Sequence, residues 1–334
     1  MDSYVCAACG GVVSTGRRAA HDSSWCPSRR VDGAKDDSDD SEESYEPTER
    51  SRPTLGGARA ELSSLYEASV RVEVESLPGL VFEMRQEDIF GPLDTGGALW
   101  YADRVMAEYL ASDCKGDTYE PDDDARDVAL VLGCGGAPLS GLVACALGWD
   151  VVATDLGVVM RLLEANICHN LPAIQSYVAA SCRRRPAEIR AVELPFGDEV
   201  ALAAALASGA PAPGTAAALR RLLILCSDCV WQRCLHEILL QTIALALRSD
   251  ATGGVEAVVA FQARNAEVEA AFTALASSER LGLSLERVDI TDVLSRVRWP
   301  DQARTTMLAP GINLSEHFLL YRMSLKGAAD APGG

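Results

Sequence analysis

The stretch from Val128 to Asn170 constrains the fold more than any other part of the chain. An apolar run, Val128–Leu132, stops at a glycine-rich turn and is followed by a helix-like segment, Leu139–Leu147. A second apolar run, Asp150–Thr154, then ends in Asp155. A tight turn lets backbone N–H groups approach a ligand, and an acid after the second strand can bind ribose hydroxyls. This order therefore predicts the first half of a nucleotide-binding α/β sheet.

Further apolar runs supply the strands that would complete this sheet. They follow in sequence at Ile189–Val192, Arg221–Cys226, Gly254–Phe261, Leu283–Asp289 and His317–Met323. Helical segments separate the earlier runs, whereas no clear helix separates the last two. The pattern predicts a doubly wound α/β fold, a Rossmann-like seven-stranded sheet whose last strand is antiparallel. Residues 69–85 alternate apolar and polar side chains around a Leu-Pro-Gly turn, which predicts a β-hairpin ahead of the sheet.

The charge and hydropathy of the chain disfavour several function classes. Its net charge of -18 disfavours nucleic acid as a partner, because proteins that track phosphates need basic surface. A basic protein segment is the more natural partner. The chain contains no run of 18 apolar residues and no secretory signal. We therefore expect no membrane association and a cytoplasmic location, extending to the nucleus.

The N-terminal segment carries a pattern of metal ligands. Cys6, Cys9, His21 and Cys26 form a C-x2-C-x11-H-x4-C arrangement. Thiolates and an imidazole at such spacing can close the four positions of a tetrahedral zinc ion. The segment resembles C2HC zinc fingers, and it predicts a small appendage whose folding depends on zinc. The alternative is a tail that carries three cysteines and a histidine without binding metal.

Charge also marks the boundary between this appendage and the main domain. Asp36–Glu49 contains eight acids and no base, and so charged a segment with so little apolar surface is typical of a disordered linker. We therefore predict four regions: a zinc finger over residues 1–30, an acidic linker over residues 31–60, a catalytic domain over residues 61–326, and a disordered tail over residues 327–334.

Five short signatures follow one another in the order expected of one enzyme family. They are Thr95–Trp100, Leu132–Pro138, Thr154–Asp155 with Leu163–Asn170, Leu194–Gly197 and Asp228–Trp231. Together they make the chain from about Arg71 to Leu325 resemble the seven-strand, S-adenosylmethionine-dependent protein methyltransferases of family 16. Members of that family methylate lysines on chaperones, AAA ATPases and translation elongation factors. The resemblance implies a methyltransferase sheet, an S-adenosylmethionine cofactor, a protein substrate of those kinds and a monomeric enzyme.

The resemblance also implies roles for particular residues. Asp228 would anchor the substrate lysine or accept its proton, and Trp231 would form a cation–π wall for the ammonium group. Both leave the carboxyl end of a strand, which is the edge where ligands of such sheets bind. The cofactor would be held by the aromatic rings of Trp100 and Phe196, the turn residues Gly133 and Gly135, the ribose-binding Asp155, and Ser227.

Several alternatives remain open at this point. A dinucleotide site is disfavoured because Pro138 stands where the G-x-G-x-x-G pattern needs its last glycine. Val131 replaces an acid, and Ala137 replaces a glycine, of the family pattern. These losses allow a non-catalytic adaptor that keeps the fold, and a small-molecule methyltransferase is a further alternative. Asp155 and Asp228 could instead cap helices, and Trp231 could pack in the core.

Overall fold

The computed structural model describes part of the chain. The described residues are 3–5, 12–14, 67–87, 93–113, 125–180, 187–209, 218–249, 254–301, 303 and 313–327. The chain divides into two compact units, Met1–Ala60 and Glu61–Gly334. The predicted linker over residues 31–60 lies outside the described residues, so the four predicted regions stay a prediction.

Two short strands are described in the first unit. Strand β1, Ser3–Val5, pairs antiparallel with β2, Val12–Ser14, with Tyr4 opposite Val13. The segment that connects them carries Cys6 and Cys9 in the sequence. All four predicted zinc ligands lie outside the described residues, so their arrangement stays a prediction.

The second unit begins with the predicted β-hairpin, which is confirmed. Strand β3, Ser69–Glu73, pairs antiparallel with β4, Val81–Arg85. Alternate residues of both strands are buried, because the period of two places every second side chain on the face that packs on the domain. A short 3-10 turn, Asp94–Gly97, then leads into helix α1, Tyr101–Asp113, whose first eleven residues are all buried.

A seven-stranded sheet forms the centre of this unit. Its strands are β5 (Ala125–Leu132), β6 (Asp150–Asp155), β7 (Ile189–Glu193), β8 (Ala218–Ser227), β9 (Val255–Gln262), β10 (Leu283–Arg287) and β11 (Phe318–Leu325). Their spatial order is β10-β11-β9-β8-β5-β6-β7. Strands β5 to β9 are mutually parallel, and β11 runs antiparallel to both of its neighbours. The predicted α/β methyltransferase sheet with an antiparallel last strand is therefore confirmed.

Helices cover both faces of the sheet. They are α2 (Leu139–Ala146), α3 (Met160–Ala180), α4 (Glu199–Gly209), α5 (His236–Ala246), α6 (Ala266–Ala276), α7 (Thr291–Arg296) and α8 (Leu314–His317). One apolar core joins the hairpin, α1, α2 and α3 to the sheet, and a second core joins α4, α5 and α6 to the opposite face. No helix within the described ranges is long and apolar enough to cross a membrane.

The connection between the last two strands differs from the prediction. The sequence shows no clear helix there, yet α7 and α8 both lie between β10 and β11. Each has at most six residues, so neither carries enough turns to show a helical period in the sequence. Leu283 lies opposite Leu325, and the predicted antiparallel pairing of the two strands is present.

Candidate functional site

The turn after β5 lies at the carboxyl edge of the sheet and requires glycine. Gly133 and Gly135 have φ angles of 59° and 67°, in the left-handed region that favours residues without a Cβ. A Cβ on Gly133 would lie 2.7 Å from Cys229 Sγ and 2.9 Å from Phe196 Cζ. The turn is therefore packed closely against the loops that follow β7 and β8. The predicted site residues Gly133 and Phe196 are brought together.

The upstream Thr95–Trp100 signature is joined to the same turn. The backbone N–H of Gly136 donates to the carbonyl of Gly96 at 2.7 Å. The Trp100 indole N–H donates to the carbonyl of Thr95 at 2.8 Å, which fixes the orientation of the ring. Two signatures that are about 40 residues apart in the chain therefore meet at one edge of the sheet, where ligands of parallel sheets bind.

Asp155 connects the turn to the end of β6. One carboxylate oxygen accepts the N–H of Gly135 at 2.7 Å, and the other accepts the N–H of Leu156 at 2.7 Å. Burial raises the pKa of this carboxyl above its usual value, and the two backbone hydrogen bonds oppose that rise. Helix α3 begins only at Met160, so Asp155 is not its N-cap. The helix-cap alternative for Asp155 is therefore wrong.

Asp228 lies at the end of β8 in a strained conformation. Its φ is 56°, a positive value that no other non-glycine residue in the described part of the chain has, and it is 7% exposed. Arg264 donates to both carboxylate oxygens, from Nη1 at 2.8 Å and from Nη2 at 2.7 Å. The N–H of Gln262 donates to the same carboxylate at 3.3 Å. The carboxylate pairs with a cation and does not cap a helix, so the helix-cap alternative for Asp228 is wrong as well.

Arg264 also links Asp228 to the predicted cofactor residue Trp100. Its guanidinium carbon lies 5.0 Å from the centre of the Trp100 ring, within cation–π range. The bidentate geometry with Asp228 and the stacking on Trp100 use two properties that lysine lacks. Sequence reasoning missed Arg264, because nothing in its local pattern distinguishes it from an ordinary exposed arginine at the end of a strand.

Trp231 lies near Asp228 in sequence and is exposed. Its side chain is among the few large apolar groups of the described residues that face solvent, with 43% of its surface exposed. The alternative that Trp231 packs in the core is therefore wrong. An exposed indole ring beside the carboxyl edge is available to a cation from outside the protein.

Ser227 contacts a buried acid that sequence reasoning also missed. The Ser227 hydroxyl donates to Asp103 at 2.8 Å, and the N–H of Ser140 donates to the other oxygen of Asp103 at 3.3 Å. Burial raises the pKa of Asp103, and the hydrogen bonds from Ser140 and Ser227 oppose the rise. Asp103 therefore joins α1, α2 and β8 just below the edge. A charged residue on an apolar helix face is the sequence signal that could have indicated it.

Asn166 and Asn170 of the Leu163–Asn170 signature bind the hairpin. Asn166 accepts the N–H of Arg85 at 2.8 Å and donates to its carbonyl at 2.9 Å. Asn170 makes the same two bonds with Glu83, at 2.9 and 2.8 Å. Asn166 also donates to the carbonyl of Gly136 at 2.6 Å, in the glycine turn. The two amides therefore tie the hairpin, helix α3 and the turn together.

The cysteines near the edge are buried thiols. Burial raises the pKa of Cys134 well above its usual value, and a hydrogen bond with Cys226, together with burial, raises that of Cys229. Such thiols stay protonated and unreactive at neutral pH. Among the residues that the structure describes, no group of three or more His, Cys, Asp or Glu side chains could hold a metal ion.

Two family models match the chain. One is a lysine methyltransferase family, matched by residues 83–184, and the other is a C2HC zinc finger, matched by residues 2–27. The first match runs from the hairpin strand β4 to just beyond α3, and it includes the glycine turn, Asp155 and both asparagines. No curated protein matches the chain.

Solved structures with similar backbones include three of interest. A SAM-dependent methyltransferase from Agrobacterium tumefaciens is 13% identical, with 77% of this chain and 70% of that chain covered and a TM-score of 0.43. The protein SMU.776, complexed with SAH, is 12% identical, with 77% and 56% covered and a TM-score of 0.41. The human methyltransferase 10 domain containing protein is 8% identical, with 68% and 83% covered and a TM-score of 0.38.

These similarities differ in what they cover. The solved structures cover 68–77% of this chain and are similar in backbone alone, at 13% identity or less. The family models match shorter segments, and the methyltransferase segment contains three of the five sequence signatures, the last two lying beyond residue 184. The chain thus matches the lysine methyltransferase family over residues 83–184, which include strands β5 and β6 of the sheet, and C2HC zinc fingers at its N-terminus.

Proposed function

We propose that the protein transfers a methyl group from S-adenosylmethionine to a lysine side chain of another protein. The observation that carries this proposal is the glycine turn after β5, held by Asp155 at the end of β6 and lying within the lysine methyltransferase match. Asp228 and Trp231 come from β8 at the same edge, which would place cofactor and substrate sites side by side.

The residues of the turn fit this cofactor. Gly133 and Gly135 hold the turn in a left-handed conformation, close against the Phe196 ring and the Gly96 carbonyl. Each oxygen of Asp155 accepts one backbone N–H and keeps a lone pair that could accept a ribose hydroxyl. Trp100 already stacks with Arg264, which makes the Phe196 ring, beside Gly133, the better partner for adenine. When bound, S-adenosylmethionine supplies a methyl group activated by its sulfonium.

The protein's own contribution is to position a neutral amine. A lysine must lose its proton from a reference pKa of about 10.4 before it can attack a methyl group. Asp228 is paired with Arg264, so in this proposal it holds the segment after β8 at the carboxyl edge of the sheet. It accepts a proton from the substrate amine only when that ion pair opens. The exposed ring of Trp231 binds the substrate ammonium as it arrives.

Two measurements test this proposal. Isothermal titration with S-adenosylmethionine should show binding to the wild type and a loss of affinity of about tenfold or more in Asp155→Ala, since a charged hydrogen bond is worth about 1.5–3 kcal/mol. Radiolabelled methyl transfer into lysate proteins should fall in Trp231→Ala and persist in Val200→Ala, which shortens another exposed side chain. Absence of both cofactor binding and transfer in the wild type would contradict the proposal.

A second candidate function is that of a non-catalytic adaptor. The observation that favours it is Asp228, both of whose oxygens are occupied by Arg264. Val131, at the position of the family acid, is 1% exposed and packs in the core instead of facing a ligand. An adaptor would capture a partner protein without transferring a label to it. Label incorporated into a lysine and lost in Trp231→Ala would exclude this candidate.

We propose that the N-terminal segment binds zinc and docks the substrate protein. The C2HC match supports Cys6, Cys9, His21 and Cys26 as the four ligands. Metal analysis should give about one zinc per chain in the wild type and a loss in Cys26→Ser. Equal metal content in the two proteins would contradict this ligand set.

The remaining proposals concern the partner and its compartment. We propose a chaperone, an ATPase or a translation factor as substrate, methylated by a monomer in the cytoplasm or the nucleus. The net charge of -18 supports a basic segment as the part of the substrate that is recognised. Light scattering on the purified protein tests whether it is a monomer in solution. Identification of labelled lysate proteins by mass spectrometry tests the substrate class.

A further inference from the structure

A groove lies between the hairpin, helix α1 and the segment after α7. Its volume is about 1180 Å³. The described residues that line it include Val70, Glu73, Arg104, Leu294, Trp299 and Ser315. None of the residues assigned above to the cofactor or to the substrate lysine lines it. The groove is therefore separate from the proposed methyl-transfer site.

Arg104 is a buried cation in the wall of this groove. It is 6% exposed, and among the described residues it donates one hydrogen bond, from Nη1 to the carbonyl of Arg298 at 3.4 Å. Its Nε is buried without a hydrogen-bond partner. Burial lowers the pKa of Arg104 to about 10, and the nearby acidic groups of Tyr101, Asp103 and Glu67 partly offset that shift, so the side chain remains charged at neutral pH. No carboxylate of the described residues forms an ion pair with it.

A second buried donor lines the same groove. The indole N–H of Trp299 has no hydrogen-bond partner in the described part of the chain, and the residue is 7% exposed. Its ring is fixed by an edge-on contact with Tyr101 and a tilted contact with Phe318, at 6.1 and 5.2 Å between ring centres. Buried polar groups in folded proteins are almost always hydrogen-bonded. Two buried donors without a hydrogen-bond partner among the described residues therefore belong to side chains that line one groove, which marks a place for an acceptor from outside the chain.

The neighbouring arginine shows what Arg104 lacks. Arg298 also lines the groove, and it forms ion pairs with Glu73 at 3.2 Å and with Glu75 at 2.5 Å. Its charge is thereby compensated at the surface. Arg104 lies deeper and has no such pair, although leaving a buried charge unpaired costs several kcal/mol. A bound carboxylate would offset that cost, because a guanidinium and a carboxylate match in shape and in charge.

We propose that this groove binds a ligand through a carboxylate that pairs with Arg104. The carboxylate belongs either to a small organic acid or to an acidic side chain of a bound polypeptide. Four acids line the groove, Glu67, Glu73, Glu75 and Asp301, and four arginines balance their charge. Glu73 and Glu75 are paired with Arg298, so they repel a bound carboxylate less than free charges would. The site does not depend on methyl transfer.

The proposal predicts an unusual response to mutation. Arg104→Met keeps an unbranched apolar stem and removes the charge, so it should leave the melting temperature of the ligand-free protein unchanged or raise it. An arginine in a structural ion pair would give the opposite result. Arg71→Gln is the matched control, because it removes a charge from an exposed arginine that lines the same groove.

Binding is measured by calorimetry on the full-length protein with two pairs of probes. Succinate is compared with succinamide, and the blocked peptide acetyl-Gly-Asp-Gly-amide is compared with its Asn counterpart. At least one carboxylate probe should bind about tenfold or more tightly than its amide. That preference should be lost in Arg104→Met and kept in Arg71→Gln.

The pattern of results identifies the source of the carboxylate. A preference for succinate alone indicates a small acid, a preference for the Asp peptide alone indicates a protein, and a preference for both supports the carboxylate site as stated. Equal binding of acid and amide in both pairs would overturn the proposal. A carboxylate preference that persists in Arg104→Met would overturn it as well, whether or not that variant is destabilised.

Discussion

Substitution of Gly133 by alanine tests how tightly the glycine turn is built. Two costs add at this position. An alanine held at a φ of 59° costs about 1–2 kcal/mol because its Cβ crowds the following carbonyl. The new Cβ would also lie 2.7 Å from Cys229 Sγ and 2.9 Å from Phe196 Cζ, and such overpacking costs about 1–3 kcal/mol. We expect the free energy of unfolding to fall by about 2–5 kcal/mol in total.

The hairpin provides a matched control for this substitution. Gly79 has a φ of 85° and no atom within 4 Å of the position of its Cβ. Gly79→Ala therefore carries the backbone cost alone, about 1–2 kcal/mol. Urea unfolding followed by circular dichroism gives both free energies, and their difference isolates the crowding by Cys229 and Phe196. Equal losses in the two variants would refute the reasoning that the turn is packed against these side chains.

Three further variants test other contacts of the edge. Arg264→Met should lower the free energy of unfolding by about 2–3 kcal/mol. This is less than the cost of breaking a fully buried ion pair, because 37% of the arginine side chain is exposed. Adding Asp228→Asn should restore part of the loss in a double-mutant cycle. Asn166→Ala should speed amide exchange at Arg85, since its acceptor is removed, without a matching effect at other hairpin amides. Burial raises the pKa of Asp103 in the folded protein above the 3.8 of the unfolded chain. The stability of the wild type should therefore fall as pH rises from 3.8 to the pKa of the folded state, and urea unfolding of Asp103→Asn at several pH values should lack this fall.

The framework of the fold follows from local patterns in the sequence. The runs Val128–Leu132 and Asp150–Thr154 lie within strands β5 and β6, because central parallel strands are buried on both faces and read as continuous apolar segments. Alternation in residues 69–85 predicts the hairpin because its strands are buried on one face only. Each of these signals depends on residues within fewer than about twenty positions of one another.

The contacts that define the site depend on distant residues, and the sequence does not reveal them. Asp228 is predicted at the edge, yet its partner Arg264 lies 36 positions further along the chain. Asp103 meets Ser227 across 124 positions. Such pairings are set by the order of strands in the sheet and by the packing of α1, and local spacing does not encode either. Predicting an acid at a strand end is therefore possible where predicting the cation that neutralises it is not.

The two asparagines of α3 also fix where the hairpin can sit. Asn166 and Asn170 are four residues apart on a helix, a rise of about 6.0 Å. Their partners Arg85 and Glu83 are two residues apart on a strand, a rise of about 6.8 Å, so the two repeats nearly coincide over this one interval. A slip of β4 by one residue would turn its hydrogen-bonding groups away from both amides at once. Insertions in the hairpin should accordingly be tolerated in its turn near Gly79 and not within β4, because the matching repeats of strand and helix allow only one register of β4 along α3.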